Sequence, residues 1–336
     1  MRACILGCSG LALTDAERAF FRAADPWGFI LFRRNVESPA QVRGLVDALR
    51  DSVGRADAPV LIDQEGGRVQ RLRPPQWPAY PPGRAYGELS PGDRRQMAWL
   101  GARLIAHDLQ ALGVTVDCLP VLDVPAPDAH DVIGDRAYSN DPAEVASLGR
   151  AAAEGMLAGG VLPVMKHVPG HGRARADSHK RLPVVEAARE ALEARDFVPF
   201  HALADLPMAM TAHVVYRALD PARPATTSPV VIAEIIRGAI GFQGLLISDD
   251  LSMNALAGGL GARASAALAA GCDVALHCNG DAAEMESVVA ATPALAGDAL
   301  ARAQTALGRL SREVEPFDAA EGRARFDAAF DGRWAA

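Results

Sequence analysis

Gly241-Phe242-Gln243-Gly244-Leu245-Leu246-Ile247-Ser248-Asp249-Asp250-Leu251-Ser252-Met253 runs from a glycine-bounded turn through a short apolar segment into two adjacent carboxylates. The apolar run is of strand length and too short for a helix, which predicts a buried strand. Side chains alternate across a strand, so Asp249 and Asp250 point to opposite faces and only one of them can face a binding site. The other is free to serve the chain itself, for example by capping the helix that follows.

Seven further runs of the same kind are spaced along the chain. The predicted strands are residues 3–7, 28–32, 59–63, 114–118, 162–167, 208–213, 245–249 and 273–278. Between them lie longer Ala/Leu/Arg/Glu stretches of helical period. Several helix starts are marked in the sequence. Thr14-Asp15-Ala16-Glu17 is a capping box, and Ser38-Pro39, Ser90-Pro91, Asp141-Pro142 and Ser228-Pro229 each set a cap residue before a proline suited to the first helical position. Gly113 and Gly271 suit helix ends. Eight strands alternating with helices predict an α/β chain closed into a single (β/α)₈ barrel of the TIM type, spanning residues 1–336 with a C-terminal tail from about 311. A doubly wound open sheet is the rival, but Gly7-Cys8-Ser9-Gly10 is a poor match to the phosphate-binding turn that usually follows its first strand. Residues 73–92, rich in proline and aromatics, read as an ordered surface loop after the third strand.

Composition narrows the function. With 50% hydrophobic residues in 336 the chain can bury a large core, and a net charge of −7 gives no sign of the basic surface that nucleic acid requires. No apolar run approaches the length of a membrane span, and the N-terminus lacks a signal-peptide core. The five cysteines form no CxxC pair and read as buried free thiols of a reducing compartment, which places the chain in the cytoplasm.

The polar ends of the strands carry the functional signal, because barrel active sites gather at the carboxyl ends. The third strand ends at Asp63, the fifth at Lys166-His167, the sixth at His213 and the seventh at Asp249-Asp250. Strand ends are also where any chain turns polar, so it is the group of endings that counts. The segment Lys166-His167-Val168-Pro169-Gly170-His171-Gly172-Arg173-Ala174-Arg175-Ala176-Asp177-Ser178-His179 holds three histidines. His167 and His171 would need a helix to face the same way, and Pro169, Gly170 and Gly172 oppose one; no metal site is expected. A loop over the barrel mouth carrying a proton-transfer pair fits better. Asp177 and His179 are two apart, so in an extended segment they point the same way, and a carboxylate beside an imidazole favours its charged, acidic form. One strand-borne carboxylate with a separate acid on a loop is the equipment of a retaining glycosidase.

Asp63-Gln64-Glu65-Gly66-Gly67-Arg68-Val69-Gln70-Arg71, the Lys166–Gly172 run, Asp177-Ser178-His179 and Ser248-Asp249-Asp250-Leu251-Ser252-Met253 together resemble the signatures of family 3 of the glycoside hydrolases, and more narrowly its bacterial β-N-acetylhexosaminidase branch (NagZ type). The resemblance runs from about residue 5 to about residue 280. It implies a cytoplasmic enzyme of peptidoglycan recycling that removes terminal β-linked N-acetylglucosamine from anhydro-muropeptides, works without a cofactor or metal, and takes a small carbohydrate as its partner, read here as a monomer. Carried over by position, it implies Asp249 as nucleophile and His179 as general acid/base oriented by Asp177. Asp63, Arg71, Arg136 (in Ile133-Gly134-Asp135-Arg136), Lys166 and His167 are implied as substrate-binding. Val168 stands where the family usually has an aromatic residue, and Arg173 and Arg175 make the loop more basic than expected. An imidazole acid/base, unlike a carboxylate, does not repel inorganic phosphate, and those arginines could attract it, which keeps a phosphorylase reading open. A substrate-assisted hexosaminidase and a non-catalytic sugar-binding barrel are the remaining alternatives. No G-x-S-x-G elbow supports a serine hydrolase.

Overall fold

The computed structural model describes residues 1–178, 182–310 and 314–334. Eight strands form one closed parallel barrel in chain order: β1 Arg2–Leu6, β2 Pro26–Leu31, β3 Val60–Ile62, β4 Val116–Asp117, β5 Leu162–Val168, β6 Met208–Thr211, β7 Leu245–Asp250 and β8 Val274–His277, with β8 paired back to β1. Each coincides with a predicted run, though β4 is shorter than residues 114–118 and Asp63 lies just past the end of β3.

Alternation along these strands separates two apolar cores. Ala3, Ile5, Leu61, Val116, Leu162, Val164, Met208, Met210, Leu245, Ile247, Val274 and Leu276 fill the barrel interior. The intervening Cys4, Leu6, Val60, Ile62, Met165, Ala209, Leu246 and Ala275 pack outward against the helices. Continued by one pleat to the carboxyl ends, the inward register delivers Asp63 after Leu61, Lys166 after Val164 and Asp249 after Ile247. The register that builds the core therefore also selects which polar side chains reach the mouth.

The predicted helix starts are found in most places. Thr14 and Glu17 form the reciprocal capping box, Ser38 and Asp141 cap helices that begin with proline, and the Ser228 hydroxyl accepts the Val231 N–H. Gly271 ends the helix Leu260–Ala270 at φ 114°. Ser90-Pro91 departs from expectation. The helix begins only at Arg94, because the Ser90 hydroxyl donates to the Asp93 carboxylate instead of capping backbone.

Residues 73–92 are a second correction. Trp77, Tyr80 and Tyr86 are buried, and the segment contains the short helix Gly83–Gly87. The Tyr80 hydroxyl donates to Asp108 at 2.6 Å. The apolar surface beneath it comes from the C-terminal helix Ala319–Ala329, whose Phe326 packs on the rings of Tyr80, Tyr86 and Phe330. Gly101 on the facing helix Arg94–Gln110 makes this possible, since a Cβ there would lie 2.4 Å from the Tyr86 hydroxyl and 2.9 Å from Phe326. The predicted tail boundary near 311 falls outside the described residues, but Phe326 and Phe330 beyond it belong to the packed core.

All five cysteines are buried and free. No described helix is long and apolar enough to cross a membrane.

Truncation of Phe326 to alanine removes the ring on which three other aromatics pack. It is expected to lower stability by about 3–5 kcal/mol, read as a lower denaturation midpoint, while the barrel-mouth chemistry is retained in the folded fraction.

Candidate active site

A cavity of about 210 Å³ opens at the carboxyl end of the barrel, with Asp63, Arg71, Arg136, Lys166, His167 and Asp249 in its wall. These are six of the eight residues singled out from the sequence. Asp177 is half-buried, next to Ser178, which also lines the cavity. His179 lies outside the described residues. The segment before it is bent at Arg175 and Ala176 and turns at Ser178, and the expected Asp177–His179 geometry falls partly outside the described residues.

Charge organises one side of the cavity. Lys166, with 2% of its side chain exposed, places its ammonium 2.8 Å from Asp63 Oδ1 and 2.6 Å from Glu65 Oε1. Arg71 reaches Asp63 Oδ2 at 2.8 Å, and Arg136 forms a two-pronged contact with Glu65, both prongs 2.8 Å. Burial by itself would raise both carboxyls, but the cations override it. Asp63 is held well below the usual carboxylate range by Lys166 and Arg71, and Glu65 down to about 2 by Arg136 and Lys166. Burial works against the Lys166 charge as well, and the same two carboxylates keep its pKa above the ordinary lysine value. All five groups are ionised at neutral pH.

Glu65 was not among the residues chosen from the sequence, although it lies inside the quoted Asp63–Arg71 run. Two positions past Asp63, it leaves in the same direction, in a small hairpin of Gln64–Gly66 with Val69–Gln70. Beneath the cluster Asp117 accepts the Gln64 N–H at 2.9 Å, and burial pushes its carboxyl well above the usual range.

A second carboxylate holds the loop after β5. Asp123 Oδ2 lies 2.7 Å from His167 Nδ1, and its Oδ1 accepts the backbone N–H of His171 at 2.6 Å. Burial would raise the Asp123 carboxyl, but His167 and the hydrogen bonds from this loop keep it below its ordinary value. The Asp123 carboxylate accepts a hydrogen bond from His167 Nδ1–H, leaving Nε2 as the other ring nitrogen for a ligand. His167 and His171 converge without a helix, their rings 5.8 Å apart, so spacing alone misjudged their proximity. The turn that unites them is tight: a Cβ on Gly172 would sit 2.2 Å from the Val124 carbonyl oxygen. Burial lowers the His171 pKa to about 4, and its Nε2 lies 3.2 Å from the Ser178 hydroxyl. Among the described residues no group of three or more His, Cys, Asp or Glu is placed to hold a metal ion.

The two aspartates of β7 part as alternation requires. The Asp250 carboxylate is occupied by the Ser252 N–H and hydroxyl and by the Cys278 N–H, so it fastens the turn after β7 to β8. It caps that turn and not a helix, because the next helix begins at Leu260. Asp249 follows Ile247 in the inward register, and its Oδ1 accepts the Asp250 N–H at 2.8 Å. Asp250 and His171 also border the cavity, and the rest of the wall is largely apolar, made by Ile30, Phe32, Met210, Met253 and Leu276 among others.

Arg173 and Arg175, the added charges of the loop, are both paired. Arg173 Nε meets Asp196 at 2.7 Å, and Arg175 contacts Asp128. Neither lines this cavity.

An apolar wall facing a fixed set of charges, at the mouth of a parallel barrel, is a pocket for a small polyhydroxylated ligand. Residues 13–310 match the glycosyl hydrolase family 3 N terminal domain, and the chain belongs to that family. It is a glycoside hydrolase, and its likeness within the family is to bacterial β-hexosaminidases of the NagZ type. The β-hexosaminidase of Alkalilimnicola ehrlichii is 43% identical over 281 residues, covering 82% of this chain and 80% of that protein. That of Pseudomonas aeruginosa is 41% identical over 290 residues, or 85% of each. Among solved structures, NagZ from Neisseria gonorrhoeae in complex with N-trifluoroacetyl-D-glucosamine superposes with a TM-score of 0.88 at 29% identity over 98% of both chains. A family 3 β-N-acetylglucosaminidase from a Paenibacillus species gives 0.86 at 30% identity, covering 97% of this chain and 67% of that one. These relatives support β-N-acetylglucosaminidase activity.

Replacing Lys166 with methionine leaves Asp63 and Glu65 buried with one cation fewer. At pH 7 the variant is expected to be less stable by about 3–5 kcal/mol. Both carboxyls have folded pKa values below their unfolded ones. Their stabilisation is therefore complete above the unfolded range of about pH 4 and is lost as pH falls through the folded values, for Glu65 at about 2. Denaturant titrations across pH should accordingly show the gap between wild type and Lys166→Met narrowing below about pH 4.

Proposed function

We propose that the protein is a retaining β-N-acetylhexosaminidase that hydrolyses terminal, non-reducing β-linked N-acetylglucosamine from anhydro-muropeptides, in the cytoplasm and as a monomer. The whole chain is read as one catalytic unit. The observation that carries this reading is Asp249. It stands in the inward register of β7, across the barrel from the Asp63–Lys166–Glu65 cluster at the ends of β3 and β5. A sugar held by that cluster would offer its C1 to the Asp249 carboxylate.

In the first step an Asp249 oxygen bonds to C1 while the bond from C1 to the leaving oxygen breaks, and His179 gives that oxygen its proton. In the second step His179 removes a proton from water, the water oxygen bonds to C1, and the Asp249 carboxylate departs. Asp177 orients the imidazole. Asp63, Arg71, Arg136, Lys166 and His167 bind the sugar, the aspartate accepting hydrogen bonds from hydroxyls, the cations donating to oxygens, and the imidazole Nε2, with Nδ1–H held by Asp123, accepting from a hydroxyl. Because Asp63 and Lys166 are fixed to each other and to further partners, they are oriented before the sugar arrives and lose little freedom on binding it. The N-trifluoroacetyl-D-glucosamine bound by the gonococcal relative supports an N-acylated glucosamine as the sugar.

Phosphate as acceptor in place of water keeps the argument from the imidazole, which does not repel it, and loses the one from the arginines. Arg173 and Arg175 already face Asp196 and Asp128, so their charge is largely compensated.

Five measurements check the proposal. Asp249→Ala should lower kcat by at least about 10⁴-fold, and a 2-fluoro sugar should become attached to Asp249. The first sugar released should be the β anomer. Attachment at Asp250 or Glu65, or an α-anomeric product, sinks the mechanism. An aryl β-N-acetylglucosaminide should be cleaved faster than the aryl β-glucoside, and added phosphate should yield no sugar 1-phosphate.

A further inference from the structure

The peptide bearing Asp249 lies where the barrel's main-chain hydrogen bonding gives out. On one side the pairing of β7 with β6 ends at Ile247 opposite Met210. On the other the register with β8 shifts between Ile247 and Asp250. Buried backbone groups must still be satisfied, so side chains take over from the strands. The Asp249 N–H donates to Thr211 Oγ1 at 3.3 Å. Thr211 Oγ1 is 2.8 Å from Thr226 Oγ1, which is 2.7 Å from His213 Nδ1; His213 Nε2 is 3.0 Å from the Asp250 carbonyl oxygen. Thr211, Thr226 and His213 are all fully buried.

The direction of every link follows from its last member. A carbonyl only accepts, so His213 Nε2 carries the proton. Burial pushes the His213 pKa down, so the ring is neutral at pH 7 and its Nδ1 is an acceptor. Thr226 therefore donates to Nδ1, in preference to the Ala212 carbonyl oxygen, which lies farther away at 3.1 Å. With its own proton committed, Thr226 accepts from Thr211, and Thr211 accepts from the Asp249 N–H. The result is a closed circuit that leaves the chain at one end of the Asp249-Asp250 dipeptide and returns at the other.

We infer that Thr211, Thr226 and His213 are positioning residues that fix the backbone of Asp249 and so set the line along which its carboxylate meets the sugar. This rests on the reading of Asp249 as nucleophile. None of the three residues is required to touch the substrate, and among them they replace the missing rungs of the ladder at the point where a shift of the nucleophile is most costly.

The experiment compares Thr226→Val, which keeps the shape and removes the hydroxyl, with Thr226→Ser, which restores it. A slow 5-fluoro N-acetylglucosaminyl fluoride, which keeps the 2-acetamido group, is used to follow both the site and the rate of attachment. Misplacement of a reacting group costs up to about 100-fold. Thr226→Val should accordingly lower kcat and the attachment rate by about 10- to 100-fold with KM near the wild-type value, and serine should restore most of the loss. An unchanged attachment rate in Thr226→Val overturns the inference, as does a fall in rate that serine does not repair in a protein with wild-type melting temperature. Should Thr226→Val fail to fold, Thr211→Val cuts the circuit at its other end and is judged by the same two outcomes. Attachment in the wild type at a residue other than Asp249 overturns instead the reading of the nucleophile.

Discussion

A buried ammonium keeps its charge only when anions surround it, and Lys166 is the group on which the barrel mouth is organised. Moving such an ion out of water costs several kcal/mol, and two carboxylates within 2.8 Å offset that cost. Those carboxylates are then bound to arginines, so three cations and two carboxylates lock together residues from the ends of β3 and β5 and from the loop at Arg136. The arrangement is rigid because every member has more than one reason to stay where it is. It leaves an excess of positive charge facing the side of the cavity where β7 brings the carboxylate of Asp249.

The strand ladder and the polar site are the same pattern read at two depths. Inward positions are apolar up to the last pleat, then become Asp63, Lys166 and Asp249. This much was legible in the sequence, because a strand's period of two and its terminal polar residue are both local signals. Helix caps were legible for the same reason, and the failure at Ser90 shows the limit: a hydroxyl two or three residues from an aspartate has an alternative partner that a cap motif does not reveal.

What could not be read depends on distance along the chain. Glu65 is decided by Arg136, 71 residues away, and Asp123 by His167, 44 away. In each case a carboxylate within an otherwise apolar or turn-forming segment was the available signal, since such a group is seldom buried without a partner. The convergence of His167 and His171 was missed because spacing rules describe helices and strands, and the loop between them belongs to neither. The burial of Trp77, Tyr80 and Tyr86 was missed because proline-rich segments are usually surface loops, whereas Tyr80 and Tyr86 pack on a helix more than two hundred residues later.

Asp249 and Asp250 illustrate how a barrel can build a site without weakening itself. Two adjacent carboxylates at a strand end would repel one another if both were left without donors. Asp250 also borders the cavity, but Ser252 and the Cys278 N–H occupy its carboxylate with three hydrogen bonds, and its backbone carbonyl anchors His213. The same residue therefore closes the turn after β7, joins β7 to β8 and completes the circuit through Thr226. The inward neighbour is left with a backbone held from both ends while its carboxylate faces the cavity. The carboxylate of Asp250 is consumed in fastening the turn, and that of Asp249 stays in the inward register.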